Sequence, residues 1–366
     1  MITERALTRA ALARQLLLER ASLPVPAAVE RLLGLNAQDP DLPYLALWAR
    51  LEGFAIADLT AAIEQRTVVR APLLRGTQHL VSVADFRLLR PQLVPLLRRA
   101  QRNAFGRRTR GVDLDALAAA ARELLADGQV LTRSELGRRL AERFPGSDAN
   151  ALGWSVQYLL PVVHPAPSGT WGVRGPTPFA SADWIGADDE PTRDGVRELV
   201  RRYLAAFGPA TPADARVWSG ISGLREVFDH LRPELRVERD ADGRELFDLP
   251  DAPRPDPDTP APVRFLPEFD ALLLGYHDRR RVMTDAVRAV VCDLDVVAAV
   301  VLVDGTVAAT WSPTVQGDAV ALRVTPLRRL SPAERDEVEA EGLRLLRFLH
   351  PGAPSAEVRL GDNPGG

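Results

Sequence analysis

The feature that most constrains this chain is an order of elements that comes round three times: a set of helices, then two short strands across a turn. In the first round Leu7, Ala11, Leu12, Leu16 and Leu17 recur at helical spacing within residues 6–20, with Thr8 placed to cap. A second helix takes Pro26 as its first residue and runs to Leu33; residues 43–51 and 56–65 give two more. Residues 68–74 and 78–81 then predict strands joined across Arg75-Gly76-Thr77. The second round has helices at 114–125, 133–143 and 150–160, the middle one opened by the capping box Thr132-Arg133-Ser134-Glu135. Its strands are 162–164 and 170–173, on either side of a Pro-Ser-Gly turn. The third has helices at 192–207, 212–218 and 224–231 and strands at 235–238 and 245–248 about Asp242-Gly243.

Helices closed by a hairpin are the order of a winged helix. The expected fold is α+β, with three tandem winged-helix domains at 1–110, 111–180 and 181–250, although no identical repeat runs through them. A linker rich in Pro and Asp, 251–262, precedes a β-rich domain at 263–366. That domain is expected to hold strands at 289–292, 296–303, 306–311 and 319–324, with Asp304-Gly305 as a turn. A closing helix runs from Pro332, capped by Ser331, to about Leu349; a last strand covers 356–360, and the chain frays after Gly361.

The 366 residues, 46% apolar and 26% charged, have a soluble globular profile with room for two or three domains. No apolar run is long enough to span a membrane and no signal pattern opens the chain, so a cytoplasmic protein is expected, and separately a monomer. Cys292, the only cysteine, lies in the apolar run Val290-Val291-Cys292 and is expected as a buried strand thiol. With one Cys and five scattered His there is no metal spacing, and no cofactor is expected. The six tryptophans are expected as core anchors. All 46 basic residues are arginine, and the net charge of −3 conceals an asymmetry. Residues 66–110 hold eleven arginines against one acid, Asp85, a credible phosphate-binding face, whereas residues 238–258 are acid-rich.

Leu33-Gly34-Leu35-Asn36-Ala37-Gln38-Asp39-Pro40 marks the end of a helix, where polar groups become available. Asn36 and Gln38 share a face if this segment is extended and splay apart if it is helical. Two amides offer donors and acceptors but no strong acid or base. On their own they are ordinary capping and turn residues. The neighbouring Asp39-Pro40 is expected as a turn, and His79 as either a site residue or a core histidine.

Leu33–Pro40 is followed by Tyr44-Leu45-Ala46-Leu47-Trp48-Ala49-Arg50 and by Leu74-Arg75-Gly76-Thr77-Gln78-His79-Leu80-Val81. Then come Thr211-Pro212-Ala213-Asp214 with Trp218-Ser219-Gly220, and Leu266-Pro267-Glu268-Phe269-Asp270-Ala271-Leu272-Leu273-Leu274-Gly275-Tyr276. These blocks, in this order, resemble the AlkZ/YcaQ family of bacterial winged-helix DNA glycosylases, and most closely its AlkZ-like branch. The resemblance implies a catalytic pair at Asn36 and Gln38, where the family carries Gln-x-Gln or Gln-x-Asp; Asn36 is one methylene shorter than the common residue. It also implies DNA contacts from Arg75, Thr77, His79, Arg279, Arg280 and Arg281. The implied substrate is double-stranded DNA bearing N7-alkylated purines, either simple lesions or bulky adducts and crosslinks, as in base excision repair or antibiotic self-resistance.

An N7-alkylated purine already bears positive charge and leaves with little help from an acid, so two amides suffice to place water and face a cationic sugar. Without lysine there is no Schiff base, and the expected enzyme is monofunctional. A winged-helix regulator that binds DNA without catalysis is the alternative, and a protein-interaction scaffold a third.

Overall fold

A computed structural model describes residues 1–186, 194–293, 296–316 and 319–363. Local rules start most helices. Thr3, rather than Thr8, caps α1 (Glu4–Arg14), its hydroxyl accepting from the Ala6 N–H. Pro24 precedes α2 (Val25–Leu32), which leads into the two-residue β1 (Leu35–Asn36). Next come α3 (Leu42–Trp48), α4 (Ile56–Glu64), β2 (Val68–Pro72) and β3 (Gln78–Ser82), the strands joined by a tight turn over Leu74–Gly76. Two further helices, α5 (Val83–Gln92) and α6 (Val94–Phe105), occupy an arginine-rich stretch for which the sequence predicted no element. The three strands form one sheet in the order β1-β3-β2.

The second set holds α7 (Leu114–Leu124), β4 (Leu131–Thr132), α8 (Arg133–Arg143), α9 (Ala149–Leu159), β5 (Val162–Val163) and β6 (Pro178–Ser181). The Thr132–Glu135 capping box opens α8 as the sequence predicted. The expected strand at 170–173 is corrected: β5 pairs with β6, and 170–173 lies in the preceding turn. Gly169 and Gly172 there have φ of 87° and 69°, outside the strand region, while Phe179 and Ala180 are both buried in β6. The backbone N–H of His164 donates to the Arg70 carbonyl at 2.9 Å, so the second small sheet abuts the first at β2.

The third set, α10 (Gly195–Phe207), α11 (Pro212–Ser219), α12 (Leu224–Leu231), β7 (Arg236–Arg239) and β8 (Glu245–Asp248), follows the expected order. Residues 192 and 193 of its predicted first helix lie outside the described residues.

The C-terminal region contains β9 (Arg264–Leu266), α13 (Ala271–Leu274), α14 (Asp285–Val291), β10 (Cys292–Asp293), β11 (Val296–Val297), β12 (Val300–Val303), β13 (Thr306–Gln316), β14 (Ala319–Pro326), α15 (Pro332–Leu349) and β15 (Ser355–Leu360). Its five-stranded sheet has the order β15-β14-β13-β12-β9, with β14 and β15 parallel and α15 as their crossover. The expected strand at 289–292 is instead mostly the end of α14, because Thr284 caps a helix that carries through the β-branched run. Cys292 is half-buried and accepts a hydrogen bond from Arg279 Nη1 at 2.8 Å. The chain remains tied beyond Gly361, since Asn363 Oδ1 accepts from the Leu330 N–H at 2.9 Å. Residues 317 and 318, between β13 and β14, lie outside the described residues.

One apolar core runs through the first set, the third set and the C-terminal sheet, and a smaller one is confined to Leu117–Phe179. Buried guanidinium forks fasten the larger body. Arg50 donates to both oxygens of Asp270 at 2.8 and 2.7 Å, and both side chains are wholly buried. Arg14 grips Asp248 in the same way at 2.6 and 2.9 Å. Removing one partner leaves a buried charge unmatched. Asp270→Ala is therefore expected to cost about 3–5 kcal/mol, seen as a lower urea midpoint, and the double replacement Arg50→Met with Asp270→Leu to cost less than the single one.

Candidate active site

α2 ends with Leu33 at φ 57° and Gly34 at φ 96°, a left-handed pair that turns the chain to run antiparallel to β3. A Cβ on Gly34 would meet Val81 Cγ1 at 2.7 Å, so only glycine lets the turn sit this close to β3. Asn36 then pairs with His79, and the Ala37 N–H donates to the Gln78 carbonyl at 2.9 Å. β1 ends at Asn36 and the chain bends at Gln38, yet the side chains of Asn36 and Gln38 still lie together. Asn36 Nδ2 donates to Gln38 Oε1 at 3.0 Å, and Asn36 Oδ1 accepts the Gln38 backbone N–H at 3.0 Å. Asn36 is buried, whereas Gln38 is exposed. The pair presents one amide to solvent, backed by another.

Arg70 holds this segment from the neighbouring strand. Its Nε donates to the Ala37 carbonyl at 2.8 Å and Nη2 to the Gln38 carbonyl at 3.5 Å, while Nη1 reaches Ser168 Oγ at 3.1 Å. Burial lowers its pKa and the charge of Asp39 opposes that shift. Asp39 itself is used structurally: Oδ1 accepts the Asp41 N–H at 2.9 Å, and both oxygens accept from Arg174 Nη2 at 3.0 Å. Asp41 accepts from the same arginine and from the Gly172 N–H at 2.7 Å. The loop between β5 and β6 is thus laid against the turn that follows Gln38. Nothing in the spacing of Arg70, Ser168 or Arg174 signals this, because all three act across the fold.

Of the residues expected to contact DNA, His79 is buried beside Asn36. Its Nδ1–H donates to the Thr77 carbonyl at 2.9 Å, and burial together with the Arg75 charge holds its pKa down to about 3. Thr77 is half-buried and donates to the Leu74 carbonyl at 3.1 Å. The Arg75 guanidinium donates to the Trp218 carbonyl, and its pKa is lowered to about 10 by burial and by Arg279. Arg281 is buried, donates to the Pro209 carbonyl at 3.0 Å and lies over the Tyr276 ring. Arg280 is exposed but paired with Asp278 and Asp242. Arg279 is half-buried against Cys292. The structure brings Asn36, Gln38, Thr77 and His79 together; Arg75 and Arg281 are spent on backbone carbonyls.

Residues 29–348 match the family described as "DNA glycosylase AlkZ-like". The chain belongs to that family. This glycosylase also has the fold of Streptomyces sahachiroi DNA glycosylase AlkZ, with a TM-score of 0.77 and 24% identity over 98% of this chain and 100% of that one. No match was found among curated proteins. No group of His, Cys, Asp or Glu among the described residues could hold a metal ion, and no described helix is long and apolar enough to cross a membrane.

A second buried histidine, His164, donates Nδ1–H to the Pro178 carbonyl at 2.9 Å; burial and Arg70 hold its pKa down to about 3 as well. Below about pH 6.5 the unfolded chain binds a proton at each of these histidines and the folded protein does not. Their contribution to stability is whole above that pH and is lost as pH falls towards 3. Each is expected to add up to about 1.4 kcal/mol per pH unit to the slope. Between pH 6 and 4, Tm should fall less steeply in His164→Gln than in the wild type; equal slopes would contradict the buried neutral state.

Proposed function

We propose that this glycosylase hydrolyses the N-glycosidic bond of purines alkylated at N7 in double-stranded DNA. The observation that carries the reading is the amide pair at the end of β1, with Gln38 exposed and Asn36 bonded behind it. The cationic base departs as a neutral molecule, water adds to the anomeric carbon, and the surplus proton passes to solvent. No acid is needed for that balance. A side-chain oxygen that holds the water and faces an oxocarbenium-like sugar is sufficient, and Gln38 Oε1 offers one. With no lysine, the reaction ends at the abasic site without strand cleavage.

Gln38 stands at an open surface, and a cleft of about 840 Å³ elsewhere, between α2, α10 and residues 249–253, has neither amide in its lining. An exposed amide suits bulky adducts or crosslinks better than a snug pocket for a small flipped base. Self-resistance to a DNA-alkylating antibiotic and base excision repair in the nucleoid both fit. The three helical sets with their small sheets are taken as winged helices at 1–110, 111–180 and 181–250. The phosphate face is moved from Arg75 and Arg281 to Arg99, Arg102, Arg107 and Arg110, exposed on or just after α6 and without an acidic partner among the described residues.

The test is release of free base from duplexes carrying N7-methylguanine or a bulky N7-guanine adduct. Gln38→Ala should lose about 100-fold or more in rate while still binding the duplex. Bound duplex with neither lesion released by the wild type would end the reading. Arg99→Ala with Arg102→Ala should lower the slope of log K against log salt by about 2 without changing lesion preference.

A further inference from the structure

The departure at position 36 gives the pair a polarity. A backbone N–H can only donate, so the Asn36 atom that meets the Gln38 N–H at 3.0 Å is Oδ1. Nδ2 is then the atom left to face Gln38, and the Gln38 atom 3.0 Å from it must be Oε1. One main-chain group thus fixes the orientation of two side-chain amides. Asparagine is short enough to reach the N–H two residues on, the same local bond that Asp39 makes to Asp41. A side chain one carbon longer reaches past it. Both ends of the Asn36 carboxamide are occupied within the pair, and the residue is buried. Gln38 keeps a second lone pair on Oε1 and both hydrogens of Nε2.

We propose that Asn36 is a positioning residue, which acts on the lesion only through Gln38 by locking Oε1 in the orientation that holds the attacking water. This rests on the reading of Gln38 as the water-holding residue. The amides are then not two equivalent contacts to the reacting centre: one touches it and the other sets its direction.

Single-turnover excision and duplex affinity would be measured for Asn36→Ala, Gln38→Ala, the double variant and Asn36→Asp. Asn36→Ala should lower the rate about 100-fold at unchanged duplex affinity, and adding it to Gln38→Ala should cost nothing more. Asn36→Asp keeps the acceptor for the Gln38 N–H but removes the donor, so the Gln38 amide turns to offer Nε2. Its rate should fall by a similar factor, with no new dependence on pH between 4 and 8. Additive losses in the double variant, or an Asn36→Asp enzyme that gains rate through the carboxylate range, would show that Asn36 meets the reacting centre itself and overturn the proposal.

Side-chain amide NMR supplies a readout independent of catalysis. The Asn36 NH₂ should exchange slowly with water and the Gln38 NH₂ quickly, with Gln38 becoming the slow one in Asn36→Asp. Rapid exchange at both in the wild type refutes the lock even if lesions are excised. A locked pair in a protein that excises nothing refutes the water-holding reading, and the positioning role falls with it.

Discussion

Charge removed from water has to be matched in place, and the larger body of this protein is assembled around that condition. Arg50 and Asp270 are wholly buried and 220 residues apart in sequence; Arg14 and Asp248 are separated by 234. Arg20 and Arg264 both lie against the buried Glu341 of α15. Arg14, at the end of α1, is tied to the last residue of β8; Arg50, just after α3, to the residue that caps α13; and Arg20, in the loop after α1, to α15, which Arg264 of β9 also meets. In the first two pairs a planar guanidinium meets both oxygens of a carboxylate in one orientation, so those contacts fix angles as well as distances. The support behind β1 is therefore set by groups far from it in the chain.

Much of this was legible one segment at a time. The capping box at Thr132 and Glu135 and the helix over Leu224–Leu231 were placed from local rules because their causes are local. What failed was decided across the fold. The run Val290-Val291-Cys292 has the composition of a strand, but Thr284 had already started a helix. The partner of β5 is Pro178–Ser181 because burial of Phe179 and Ala180 outweighs the proximity of residues 170–173. That Asn36 and Gln38 lie together could be posed as a condition but not decided, since it depends on Asn36 pairing with His79 more than forty residues later and on the bend that follows it.

Counting arginines overstated the phosphate face in the same way. Of the eleven between Arg66 and Arg110, Arg66 stacks on Trp184, Arg70 holds the Ala37 and Gln38 carbonyls, Arg75 meets Trp218, and Arg87 meets Ile185 and Gly186. Arg90 is buried, while Arg98 and Arg108 pair with Asp115 and Asp148. A chain without lysine gives arginine the structural work that other proteins divide between two residue types. Its sequence alone does not separate cations that bind a ligand from cations that hold the fold.

The second small sheet meets the first at the bond from the His164 N–H to the Arg70 carbonyl, and it is shared between the two cores: Val163 and Ala180 join the larger, Val162 and Phe179 the smaller. A site at such a seam can change on one side at a time. Substitutions at Leu117, Leu136, Leu140 or Leu152, which belong to the smaller core alone, can alter that side without disturbing the packing beneath Asn36, provided Val163, His164, Ser168, Trp171 and Arg174 keep their places. Descendants of this chain thus have a route to variation in which the amide pair stays fixed and only the smaller core drifts.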